Sequence, residues 1–87
     1  LLAKAGNELL GISGIKAVFI VGRTGKEEIS ISARGTKEFN VQLVMEKLGG
    51  GGHFTMAACQ LKYEDIKMAI NALEEAIDEY LDERTND

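Results

Sequence analysis

Hydrophobic and polar positions follow distinct rhythms along this chain of 87 residues. Lys16 to Val21 (KAVFIV) is a near-continuous apolar run rich in β-branched and aromatic residues, which predicts a strand covered on both faces. From Glu28 to Arg34 the period becomes two. Ile29, Ile31 and Ala33 share one face, and Ser30, Ser32 and Arg34 share the other. Gly22 to Lys26 is a turn-rich connection, so the two runs predict a β-hairpin. Val41, Val44, Met45 and Leu48 then recur at i, i+3, i+4 and i+7, the stripe of a helix with one buried face. Gly49 stops that helix, because glycine takes a left-handed conformation without steric cost.

Thr55 to Leu61 predicts a third strand. Ile66, Ile70, Leu73, Ile77 and Tyr80/Leu81 predict a final helix with that stripe buried, Glu64 and Asp65 suiting its first turn and Arg84 its last. At the other end, Leu2, Gly6, Leu9 and Leu10 have helical spacing over Leu1 to Leu10. The predicted order is α-β-β-α-β-α: an α+β fold, a small mixed sheet with helices packed on it. The whole chain, 1–87, reads as one domain.

Composition changes little: 45% hydrophobic and 28% charged residues describe an ordinary globular domain. No apolar run approaches the ~18 residues of a membrane span, and no signal-peptide pattern opens the chain. The chain starts without Met and reads as a fragment of something longer. Charge is informative. Lys62 to Asp87 carries nine acids against three bases, net −6, whereas Leu1 to Leu61 carries seven bases against five acids, net +2. An anionic ligand therefore prefers the first part, and the acidic residues of the final helix form its solvated face. Cys59 is the only cysteine, which excludes an internal disulfide and a cysteine-based zinc site; beside Ala57 and Ala58 it reads as a small buried residue.

Chemistry concentrates around Gly49-Gly50-Gly51-Gly52-His53. Four successive glycines lose much conformational freedom on folding, a loss tolerated where something approaches the backbone closely. Their N–H groups can form a nest for phosphate oxygens; the alternative is a flexible hairpin-like loop. The preceding helix aims its negative end at this loop, so an anion there needs cationic help, for which His53, Arg34 and Arg23 are the sources. Arg34 is either a phosphate fork above the small Ser30 and Ser32 or a surface arginine on a solvated face. His53 is either a phosphate donor or a structural histidine beside a turn. Asn40 is either the cap of the second helix or a ligand hydrogen-bonder. No Walker motif, Asp-His-His, HExxH or paired catalytic carboxylates occur in the sequence, which reads as a binding module.

The succession VGR, ISAR, FNVQ, MEKLGGGGH and AA-x-Q resembles the DHH-associated C-terminal domain of cyclic-di-AMP phosphodiesterases of the GdpP type, over nearly the whole chain. The glycine-histidine motif alone is shared with short-oligoribonucleotide hydrolases and RecJ-like exonucleases. The resemblance implies a substrate-binding domain whose contacts are Arg34, Asn40 and Gly50, Gly51, Gly52 and His53. It also implies an upstream DHH catalytic domain holding two Mn²⁺ ions, and no metal or catalytic residue in the present chain. The reaction implied is hydrolysis of cyclic-di-AMP to pApA, in a parent anchored to the membrane with this domain on the cytoplasmic side. One departure is Gly35, where members of the family often have serine; its absence removes a hydroxyl and is expected to loosen the loop. Two alternatives stand beside this reading: a domain for short linear oligoribonucleotides, and a non-catalytic nucleotide sensor or interaction domain.

Overall fold

The computed structural model describes residues 14–85. The helix expected over Leu1 to Leu10 lies outside them. The described elements are β1 (Ala17–Gly25), β2 (Glu28–Gly35), α1 (Val41–Lys47), β3 (Gly51–His53), β4 (Met56–Leu61) and α2 (Ile66–Thr85). The class is α+β, as expected. The strands form one sheet in the order β1-β2-β4-β3, and every neighbouring pair is antiparallel rather than mixed. Two tight hairpins, β1–β2 and β3–β4, account for this, since antiparallel neighbours need only a short turn.

Register follows the period-two pattern of β2. Ile29, Ile31 and Ala33 are fully buried and pair across β4 with Leu61, Cys59 and Ala57. Phe19 and Val21 of β1 join them, and α1 and α2 cover this face through Val41, Val44, Met45, Leu73 and Tyr80. Burying a large aliphatic side chain contributes about 1.5–3 kcal/mol, so this one layer of contacts carries most of the stability of a small domain. The other face presents Val18 and Ile20 from β1, Ser30, Ser32 and Arg34 from β2, Met56, Ala58 and Gln60 from β4, and Gly51 and His53 from β3. Neither α1 nor α2 packs on it, so among the described residues this face is open. β1 was expected to be covered on both faces; it is an edge strand, half-buried from Ala17 to Gly22.

Two further elements differ from expectation. The connection Gly22 to Lys26 is mostly strand: β1 runs to Gly25 with an irregularity between Arg23 and Gly25. In α2 the buried residues are Ala69, Leu73, Ala76 and Tyr80, while Ile70 and Leu81 are exposed. Two alanines on the inner face let the helix lie close to its neighbours, which rotates the buried stripe away from the largest aliphatic residues. Glu64 and Asp65 precede the helix, which begins at Ile66, instead of lying in its first turn; Asp65 Oδ1 accepts from the Lys67 N–H at 2.9 Å. The acidic face of α2 is exposed, and Glu79 and Glu83 reach Lys47 at the end of α1, at 3.6 and 2.9 Å.

Candidate functional site

The site is assembled where β2 ends, the β3–β4 hairpin turns and α1 begins. Backbone hydrogen bonds fix that junction. The Gly35 N–H donates to Thr55 O at 3.0 Å, and the Val41 N–H donates to Phe54 O at 3.1 Å. The two turn residues Phe54 and Thr55 are thus held between the end of one strand and the first turn of a helix. Gly35 is buried here, and a β-carbon on it would meet Phe39 O at 2.7 Å and Val41 Cγ1 at 2.9 Å. The loop expected to be loosened by this glycine is tight, and the glycine is what permits it.

Across the open face, Arg34 pairs with Met56 and Met56 pairs with His53. Arg34 and His53 therefore lie in one row on the same face, two strands and about 10 Å apart, with Met56 between them. His53 is exposed. Arg34 is not the surface arginine that one reading allowed: its residue is only 8% exposed. One guanidinium nitrogen, Nη1, donates to the carbonyl of its own neighbour Ala33 at 3.0 Å. Nε is buried with no hydrogen-bond partner. Among the described residues no carboxylate lies within ion-pair distance of Arg34, the ion pairs there being made by Lys16 and Lys47. A buried guanidinium short of partners is costly, and native structures retain such groups where something else supplies the partner.

The glycine loop divides into two parts. The Gly49 N–H donates to Glu46 O at 3.1 Å and the Gly50 N–H to Met45 O at 2.8 Å. With Gly49 at φ +84° this is a Schellman motif closing α1. The N–H groups of Gly49 and Gly50 are therefore engaged by the helix, which limits the expected nest to Gly51, Gly52 and His53. Gly50 has a different reason to be glycine: a β-carbon would lie 2.1 Å from Ala58 O. Gly51 and Gly52 belong to β3, which was expected to be loop; as the edge strand it leaves alternate backbone N–H groups without a strand partner. Gly51 has nothing within 4 Å of where a β-carbon would be. It is the one member of the run whose lack of a side chain the fold does not itself require.

Asn40 is the cap of α1: its side chain accepts from the Leu43 N–H at 3.3 Å. Its own N–H donates to the Tyr80 hydroxyl at 2.8 Å. The side chain lines a depression of about 710 Å³ shared with Lys16, Lys37, Phe54 and Tyr80, next to the junction but apart from the row of Arg34 and His53. Arg23 stands at the opposite end of the sheet, paired with Ile29. Its guanidinium donates to Lys26 O at 3.1 Å and to Glu64 O at 2.5 Å. It braces a turn and is not a cation for the glycine segment.

A second depression, of about 490 Å³, lies on the open face beside the glycine segment and is lined by Ser30, Ser32, Gly50, Ala58 and Gln60 among others. The two serines are the small residues that alternate with Arg34 along β2. Gln60 closes the AA-x-Q motif of the sequence but is not among the expected contacts; the alternation of Ala57 and Cys59 against Ala58 and Gln60 in β4 places it on the same face. Cys59 faces the core, and burial pushes its thiol up to about 11. No group of three or more metal-ligating side chains converges among the described residues, and none of the described helices is long and apolar enough to cross a membrane.

A four-stranded antiparallel sheet with two helices on one face and a buried arginine on the other defines a small α+β domain with a ligand-sized polar face. Residues 1–79 match the DHHA1 domain family, and the chain belongs to that family. It is 45% identical over 82 residues to the cyclic-di-AMP phosphodiesterase GdpP of Bacillus subtilis, covering 94% of this chain and 12% of the relative. It is also 45% identical over 78 residues to the cyclic-di-AMP phosphodiesterase PdeA of Listeria monocytogenes, covering 90% of this chain and 12% of that one. Among solved structures, the pGpG-specific phosphodiesterase PggH from Vibrio cholerae superposes with a TM-score of 0.56 at 25% identity, over 75% of this chain and 24% of the neighbour. The chain thus spans a small part of the length of each protein it matches.

Proposed function

We propose that this chain is the substrate-binding domain of a DHH-family phosphodiesterase that hydrolyses cyclic-di-AMP to pApA. The observation that carries the reading is Arg34: a residue only 8% exposed, with its guanidinium Nε buried and unpartnered and no carboxylate at hand among the described residues. A phosphodiester supplies the charge and the planar pair of acceptors that such a group lacks. His53, exposed two strands away in the same row, offers a second donor. Gly51 lets a ligand approach the backbone from Gly51 to His53, while Gly50 and Gly52 secure the stacking of this segment on β4. Asn40 contributes by fixing the start of α1; a direct contact to ligand from its amide is part of the same proposal.

The domain supplies grip and orientation. Bond cleavage belongs to a DHH domain elsewhere in the parent, where Mn²⁺ would activate water, and a membrane-anchored parent would carry this domain on its cytoplasmic side. The names of the two curated relatives favour cyclic-di-AMP as the substrate. The structural neighbour is specific for pGpG, and this favours as second reading a domain for short linear nucleotides. Titration of the chain with cyclic-di-AMP and with pApA, followed by amide chemical shifts, tests both. Shifts at Arg34 and Gly51 to His53 that saturate at lower cyclic-di-AMP than pApA concentration support the first; the reverse order supports the second. Absence of shifts with either at millimolar ligand contradicts both.

A further inference from the structure

The open face has two chemically different ends. Arg34 and His53 form the cationic end. Four residues further along β4, about 14 Å at ~3.4 Å per residue, Gln60 stands opposite Ser30, with Ala58 and Ser32 between the two ends. The depression of about 490 Å³ at this second end contains no charged residue in its lining. A phosphate would find no counter-charge in it. A flat neutral heterocycle finds a low floor of Ala58, Ser32 and Gly50, and hydrogen-bonding groups at its edge. One of those groups has a defined polarity. Thr24 Oγ1 donates to Glu28 Oε1 at 2.8 Å, so the 2.9 Å contact between Thr24 and Ser30 uses the Ser30 proton. The Ser30 oxygen is left as an acceptor. Gln60 is exposed on the same face and supplies a carboxamide.

We infer that this depression is a base-binding subsite and that Gln60, with Ser30, selects adenine over guanine; the inference rests on Arg34 and His53 forming the phosphate end. A carboxamide presents a donor and an acceptor side by side, which matches the N6–H and N7 of adenine. Guanine presents two acceptors on that edge, O6 and N7. The Gln60 oxygen would then face an acceptor, and so would the Ser30 oxygen. The arrangement discriminates by leaving polar groups unpaired with the wrong base, which costs more than a missing contact. The long side chains of Arg34 and Gln60 can each reach inward from opposite ends of the face, so a single nucleotide can engage both.

The test compares the unaltered chain with Gln60→Leu, titrated with cyclic-di-AMP, cyclic-di-GMP and ribose 5-phosphate and followed by amide shifts. Residue 60 is exposed, so the variant retains the spectrum of the folded chain. The unaltered chain is expected to prefer the adenine dinucleotide. Gln60→Leu should weaken cyclic-di-AMP about tenfold, the loss of one bidentate contact, and narrow its preference over cyclic-di-GMP. Ribose 5-phosphate, which has no base, should bind both chains equally through Arg34. An unchanged preference in Gln60→Leu overturns the inference and leaves the phosphate reading standing. Failure of the unaltered chain to bind ribose 5-phosphate and both dinucleotides overturns the phosphate reading and the inference together.

Discussion

The backbone N–H of Asn40 donates to the Tyr80 hydroxyl across 2.8 Å. The residue that caps α1 is thereby held by a residue about three-quarters of the way along α2, whose ring also packs on Phe39 at 4.7 Å between centroids. This contact ties the two helices to the junction where β2 ends. Removing only the hydroxyl leaves the Asn40 N–H without its partner in a part-buried position. Tyr80→Phe should therefore lower stability by about 1 kcal/mol, read as a lower midpoint in urea with an unchanged slope.

Asn40 separates capping from ligand contact. Asn40→Ala removes the acceptor for the Leu43 N–H and should destabilise by about 1 kcal/mol, whereas Asn40→Asp keeps the cap. If the amide also contacts a phosphorylated ligand, Asn40→Asp binds it several-fold more weakly at unchanged stability, because a carboxylate replaces a donor. Paired urea melts and nucleotide titrations of the two variants measure this.

The glycine segment yields an ordered series. Gly50→Ala places a β-carbon against the backbone of Ala58 and should be strongly destabilising, and Gly49→Ala strains the left-handed position that closes α1. Gly51→Ala has neither problem. It should fold with stability close to that of the unaltered chain and lose nucleotide affinity, since a methyl group then stands where the ligand approaches. Thermal melts of the three variants and a titration of Gly51→Ala check the order.

Several of these features are legible in the sequence, and the reasons others are not are physical. The alternation in β2 assigns Arg34 to the face opposite the core, and the register agrees. It carries no information on burial, which depends on what tertiary structure places beside a residue. The stripe of α1 and its cap at Asn40 can be read because both signals are local. β3 is invisible: Gly51, Gly52 and His53 offer one side chain between them, and their pairing is set by the turn at Phe54 and Thr55. For α2 the largest aliphatic residues point to the wrong edge of the buried stripe, since close packing favours Ala69 and Ala76. Gln60 is visible as the end of the AA-x-Q motif, but its place beside a depression emerges only when the register sets it across from Ser30.

Cys59 provides a pH-dependent check on the core. Its folded thiol is raised from 9.0 to about 11 by burial, so the unfolded state loses the proton first. The stabilisation is fully present below pH 9 and is lost as pH rises from there through 11. Cys59→Ala should flatten the stability profile in that range. Alkylation of Cys59 at about pH 8 should proceed only through unfolding, at a rate that rises with urea.

The most direct test of the central claim replaces Arg34 with methionine, which preserves much of the volume and removes the buried charge. Nucleotide binding to Arg34→Met and to the unaltered chain is then measured alongside their unfolding midpoints. If Arg34 is held in readiness for a phosphate, the variant is as stable as the unaltered chain or more so, and its affinity for cyclic-di-AMP falls at least tenfold. A variant that binds cyclic-di-AMP as tightly as the unaltered chain, or one that unfolds, would show that Arg34 serves the fold and that the phosphate site lies elsewhere.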